Sequence, residues 1–290
     1  MERQVWETWE RATQAIWPLF ALDAYFPVLA GAREAAAITT PALGVGELPE
    51  DYGQACRAFE EESIYAEVKG LEGKVRVGYA LQPTLGSGTL YGRFYFSQEA
   101  DPGKVRAAFR QATQDIRQGR RSEAYLEGIR LDGELLGLPE CCVETFVASE
   151  RTAMEQMADQ GALGKGTSGP EVQAILQEPQ TRPRRQLEAL LGMPSGRVGE
   201  NTARSRDLPE DVVSSYFTMD LFPCAPGCAR AATHGKEIRA GLERYDAVTG
   251  MMYRNLLLHM NAYFLWTREH AAHAAVNSAI AENVLQSRPW

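Results

Sequence analysis

The sequence predicts an α+β fold, with a small antiparallel sheet in the N-terminal half and a predominantly helical C-terminal half. Runs with period-two spacing, the mark of half-buried strands, are confined to residues 63–97. Beyond about residue 100 the apolar residues recur at helical spacing instead. A hydrophobic fraction of 44% over 290 residues is enough to bury a real core, as one large domain or two modest ones. The expected division is an α+β region over 1–120 and a helical, cysteine-bearing region over 121–290.

The elements follow in order. Val5, Trp6, Trp9, Ala12, Ile16 and Trp17 fall on one face of a helix that Pro18 stops. The three tryptophans read as a buried face rather than a ligand platform. Residues 39–49 read as a loop, and Pro49 to Glu62 as a short helix. Ser63–Val68, Lys74–Leu81 and Thr89–Ser97 are the three expected strands, the first two joined by a hairpin at Gly70-Leu71-Glu72-Gly73. Asp101 reads as an N-cap, followed by Pro102 at the first helical position. The helix that follows places Val105, Phe109, Ala112 and Ile116 on one face. Pro139 to about Gln160 is a further helix, ended by Gly161. Short helices are expected at 171–177 and 185–191, a loop at 192–209, a helix from Gly227 to about Tyr245, and a long helical stretch over 251–285.

A net charge of −8 and a pI near 5.2 argue against a dedicated nucleic-acid binder, which carries a basic face. No run of about 20 apolar residues predicts a membrane span. Glu2, Glu7 and Glu10 lead the chain where a secretory signal would carry basic residues. A cytoplasmic protein is expected, and in that compartment clustered cysteines read as metal-binding or catalytic rather than as disulfides.

Four of the five cysteines form two tight groups, Leu136-Gly137-Leu138-Pro139-Glu140-Cys141-Cys142 and Phe222-Pro223-Cys224-Ala225-Pro226-Gly227-Cys228. Proline suits a helix's first turn, where its missing N–H has no helical partner. Cys141, Cys142 and Cys228 are thus expected in first turns, with Cys224 just before one. The N–H groups and the positive dipole end there favour thiolates or an anionic cluster. Two such starts facing each other would bring four sulfurs around one point, which suits zinc or an iron–sulfur cluster. Adjacent cysteines do not turn easily toward one small ion, so an iron–sulfur cluster of the 4Fe-4S kind is the expected cofactor, with zinc the alternative. A thiol redox pair and inert packing are the competing readings. Cys56 is a distant spare.

The two groups resemble the motifs of an archaeal and bacterial conserved domain family of unknown function, Leu-Gly-x-Pro-x-Cys-Cys followed by Pro-Cys-x-x-x-Cys. This chain has Leu138 at a place the family gives to an aromatic residue and Ala231 where it has serine. The resemblance covers roughly residues 130–245. It implies that the two groups form one site and implies no reaction.

Other groups carry weaker signals. His259, His270 and His273 share a helical stripe with Leu256, Tyr263 and Trp266, which fits core packing. His234 is expected at the surface, with an acid or base at the margin of the site as the alternative reading. Arg204 and Arg206, in the loop between the cysteine groups, are candidates for holding an anionic substrate, as are Arg182, Arg184 and Arg185. The glycines at 86–88 and 164–169 lack P-loop spacing. The expected function is an iron–sulfur enzyme for redox or sulfur-transfer chemistry on a small-molecule substrate. The alternative is a non-catalytic protein whose structural zinc or thiol site supports binding of a partner.

Overall fold

A computed structural model of the chain describes residues 21–43, 48–73, 75–86, 88–99, 101–165, 175, 208–218 and 220–244. The expected elements at 2–20, 185–191 and 251–285 lie outside them, as do Arg182, Arg184, Arg185, Arg204, Arg206, His259, His270 and His273. The fold is α+β, with a three-stranded antiparallel sheet in the N-terminal half. The chain groups into two units, Ala37–Pro179 and a second made of Met1–Ala36 with Gln180–Trp290.

In the Ala37–Pro179 unit the sheet has the order β1-β3-β2, with β1 at Ala35–Leu43, β2 at Arg76–Pro83 and β3 at Leu90–Ser97. β2 and β3 pair antiparallel from Arg76 opposite Ser97 to Pro83 opposite Leu90. Two of the three expected strands are therefore found, and the third is corrected. Ser63–Val68 belongs to a helix, α2 being Tyr52–Glu60 and α3 being Ser63–Lys69. Tyr65 and Val68, three apart, share a helical face; Val68 is fully buried, and the Tyr65 ring meets Phe59, Tyr79 and Phe94. Gly70 is consequently a helix C-cap and not part of a hairpin.

The third strand is β1, which overlaps the expected loop at 39–49. Ala35, Ala36, Ala37 and Ile38 are all buried there. Alanine has no strand preference of its own, so burial beside β3 decides the conformation. Pro41 within β1 is compatible with an edge strand, where one N–H is dispensable.

The opposite edge, on β2, is closed by side chains. Alternate residues of a strand turn their carbonyls to the same side. Lys69 Nζ donates to the Val77 carbonyl at 2.7 Å. Arg106 donates from Nε and Nη2 to the Tyr79 carbonyl, with its guanidinium over the Tyr79 ring. The Tyr52 hydroxyl donates to the Leu81 carbonyl at 2.8 Å and accepts from the Leu81 N–H at 3.0 Å. Such closure removes a template for strand addition. Tyr52→Phe deprives both backbone groups of a buried partner, and a loss of about 1–3 kcal/mol is expected in urea unfolding.

Three helices follow: α4 (Gly103–Arg117), α5 (Glu123–Leu135) and α6 (Glu140–Asp159). As the spacing predicts, α4 buries Val105, Phe109, Ala112 and Ile116. Pro102, expected at the first helical position, is instead its N-cap, and the Asp101 carboxylate accepts from the Gly103 N–H. A Cβ on Gly128 would stand 2.4 Å from the Phe109 ring, and one on Gly133 would stand 2.5 Å from Val143. These glycines permit α4 to approach α5 and α5 to approach α6. Arg93 holds Asp132 through two hydrogen bonds of 2.6 and 2.8 Å, and the Tyr95 hydroxyl donates to the same carboxylate at 2.6 Å. This fixes the C-terminal end of α5 on β3, just ahead of the first cysteine group.

In the second unit, a π-helical turn at Ala21–Tyr25 leads into α1 (Phe26–Leu29). Two further helices, α7 (Glu210–Ser215) and α8 (Ala229–Glu243), pack closely. A Cβ on Gly235 would stand 2.0 Å from the Ser214 carbonyl, so only glycine fits. Gly241 plays the same part against Ala32. Arg33 and Asp220 form a bidentate ion pair at 2.8 and 3.2 Å, with side chains only 2% and 4% exposed.

Candidate metal centre

The first cysteine group is built by a helix stop followed at once by a helix start. Gly137 has φ +65°, the left-handed conformation that closes α5. The Leu138 N–H reaches the Gly133 carbonyl at 2.9 Å, and the Gly137 N–H reaches Glu134 at 3.0 Å. These two bonds make a Schellman cap. Pro139 then serves as N-cap of α6, and its carbonyl accepts from the N–H groups of Cys142 and Val143. Cys141 and Cys142 occupy the first turn, as expected, and the Thr145 hydroxyl donates to the Cys141 carbonyl at 2.7 Å.

The second group is a turn placed before a helix, and here the expectation is corrected. α8 begins at Ala229 and not at Gly227, so Cys228 is the N-cap rather than a first-turn residue. Neither Pro223 nor Pro226 opens the helix. The chain turns at Gly227, φ +71°, and the Cys228 N–H closes back on the Ala225 carbonyl at 3.0 Å. The Cys228 carbonyl then receives the Ala232 N–H at 2.8 Å, the first bond of α8.

The sulfurs of Cys141, Cys142, Cys224 and Cys228 all lie within 4.8 Å of one another. They are close enough to hold a metal ion. Cys142 is buried and the other three are partly exposed. The Cys141 and Cys142 sulfurs are 3.9 Å apart, although adjacent cysteines are not expected to turn easily toward one small ion. Their Cα–Cβ bonds diverge by about 100° around the helix, and the staggered χ1 wells open to each side chain allow the sulfurs to stand this close. Both cysteines therefore belong to the group. Cys56 does not. It lies on α2, half-buried, and burial raises its thiol pKa against the lowering effect of a hydrogen bond with Tyr79.

His234 is not the surface residue that the sequence predicts. It is half-buried on α8, its Nε2 is shielded from solvent without a hydrogen-bond partner, and it is not one of the group around the sulfurs. Burial, and secondarily the Arg33 guanidinium, push its pKa down to about 4 against the opposing pull of Asp220, so it is neutral at pH 7.

Glu150, two turns beyond the cysteines on α6, was not singled out by the sequence. It is buried and accepts a hydrogen bond from Tyr125 Oη at 2.9 Å. Burial pushes its pKa up to about 7, against the lowering effect of that hydrogen bond. A carboxyl that ionises near pH 4.5 when unfolded and near 7 when folded binds more protons in the folded state between those values. Its contribution is thus favourable at low pH and is lost as pH rises toward 7, by about 3 kcal/mol in all. Glu150→Gln is expected to abolish that part of the pH dependence, as measured by urea unfolding between pH 4.5 and 8.

Fold and site together define an α+β protein with a four-cysteine centre assembled from a vicinal pair and a Cys-x-x-x-Cys turn. No protein-family profile matches the chain, and it matches no curated protein and no solved structure. No described helix is long and apolar enough to cross a membrane.

Proposed function

We propose that the protein holds a single metal ion on Cys141, Cys142, Cys224 and Cys228, that zinc is the ion, and that the centre is structural. The observation that carries this reading is the sulfur spacing. Four thiolates around one tetrahedral ion, each at about 2.3 Å, stand about 3.8 Å apart. A four-iron cube holds its cysteine sulfurs at roughly 6 Å, because each iron is itself displaced from the cube's centre. A limit of 4.8 Å on every pair fits the first arrangement better than the second. Four protein ligands also close the coordination sphere, as structural sites do, whereas catalytic zinc keeps a position for water or substrate.

The iron–sulfur reading needs the same thiolates to stand wider apart. Its support is the partial exposure of Cys141, Cys224 and Cys228, which would admit a larger centre and a small-molecule substrate. Redox or sulfur-transfer chemistry would further require one thiol or one iron site to stay open. With all four thiolates engaged, the protein's own role is to fix the two cysteine-bearing segments for binding a partner. Anaerobic purification with elemental analysis and an absorption spectrum tests this. A colourless protein with one zinc per chain is expected. A brown protein with a broad band near 400 nm, iron and acid-labile sulfide would overturn it in favour of the cluster.

A further inference from the structure

We propose that Ser215 is the positioning residue of the metal centre: its hydroxyl locks the turn that presents Cys224 and Cys228. The inference rests on the four-thiolate reading above. Ser215 ends α7 and is completely buried. Its Oγ donates to the Val212 carbonyl at 2.8 Å, which fixes the hydroxyl's direction and leaves its lone pairs to accept. One lone pair takes the Gly227 N–H at 3.1 Å. Gly227 sits next to Cys228 at φ +71°, the point where the turn reverses to enter α8. A single buried hydroxyl thus ties the end of α7 to the residue that sets the direction of a ligand.

Hydrogen-bond partners behind metal ligands orient them, and their loss costs affinity even when every ligand remains. The hydroxyl is well suited to the task because it is anchored on a helix rather than on a loop, and because α8 is held close to α7 by the Ser214–Gly235 contact. Without it, the turn keeps its two cysteines but loses the bond that holds them at one angle. Binding the ion would then carry the ordering cost that the native turn has already met.

The test uses the full chain and cobalt(II) as the probe, because its visible bands report tetrahedral thiolate geometry. Affinity is measured by competition with a chelator at 25 °C, and circular dichroism checks the fold. Wild type is expected to bind one cobalt with tetrathiolate bands. Ser215→Ala is expected to bind it about 10–100-fold more weakly, with altered bands. Ser215→Thr, which keeps the hydroxyl, should recover the native spectrum, and Thr113→Ala, which removes a buried hydroxyl that donates to the Phe109 carbonyl within α4, should not weaken binding. Gly227→Ala disturbs the same turn from its half-buried side and should also weaken binding, so the proposal stands or falls even if Ser215→Ala does not fold. Folded variants at 215 and 227 that bind cobalt as tightly as wild type, with the same spectrum, would overturn the positioning role alone. A wild-type protein without tetrathiolate bands would instead overturn the centre on which the role depends.

Discussion

Cys228→Ala is expected to reduce the metal content from one ion per chain to near zero after dialysis against a chelator, and Cys224→Ala to do the same. Each removes one of four sulfurs that lie within 4.8 Å of one another, and no other His, Cys, Asp or Glu among the described residues belongs to that group. Structural zinc contributes about 10–16 kcal/mol of apparent binding free energy in small domains. An ion present at a thousand times its dissociation constant raises folding stability by about 4 kcal/mol, and the loss of a ligand forfeits that amount or more. Chelation of the wild-type protein should lower thermal stability in the same way, while Cys228→Ala should respond little to chelator. Cys141→Ala and Cys142→Ala should also lose metal, the latter with an added packing defect because Cys142 is only 2% exposed. Cys56→Ala should keep its ion. Retention of full metal by any single variant of the four would remove that residue from the centre.

Asp220→Ala is expected to destabilise the fold by about 3–5 kcal/mol, because it removes the carboxylate that faces the Arg33 guanidinium through two hydrogen bonds in the interior. Both side chains are almost wholly buried and the pair is bidentate. The cost of removing one partner exceeds the net worth of the pair, so Arg33→Met with Asp220→Leu should recover most of the loss. Urea unfolding of the single and double variants decides it. A loss below about 1 kcal/mol for Asp220→Ala would mean that the pair behaves like a solvated surface bridge. Asp220 precedes Cys224 by four residues, so the single variant should also bind metal less tightly.

The build of the first cysteine group was legible in the sequence because its signals were local. Gly137 and Pro139 specify a helix stop and a helix start, and whatever lies two or three residues beyond such a start falls in a first turn. The second group misled by its prolines. Pro223 and Pro226 read as helix openers, but Gly227 adopts a left-handed conformation between them and Cys228, which pushes the start of α8 to Ala229. The adjacent thiols misled through rotamers, since the angle between neighbouring Cβ atoms does not fix where the sulfurs end.

Sheet assignment failed for a related reason. Six residues from Ser63 to Val68 are too few to separate period two from period 3.6, and the buried face is set by Phe59, Tyr79 and Phe94 from other elements. β1 was missed because its alanines carry no strand propensity and become strand only through burial. The supports of the site were invisible for want of any local mark. Arg33 and Asp220 are 187 residues apart, and nothing distinguishes Ser215 from Ser214 in the sequence until the turn at Gly227 is placed beside it. Glu150 looks like an ordinary helical glutamate and becomes unusual only once the fold buries it.

X-ray absorption at the metal edge of the protein purified without added metal tests the central claim most directly. A mononuclear centre on Cys141, Cys142, Cys224 and Cys228 predicts one shell of four sulfurs at about 2.3 Å and no metal–metal scattering. A shell containing nitrogen or oxygen neighbours, fewer than four sulfurs, or an iron–iron distance would contradict it.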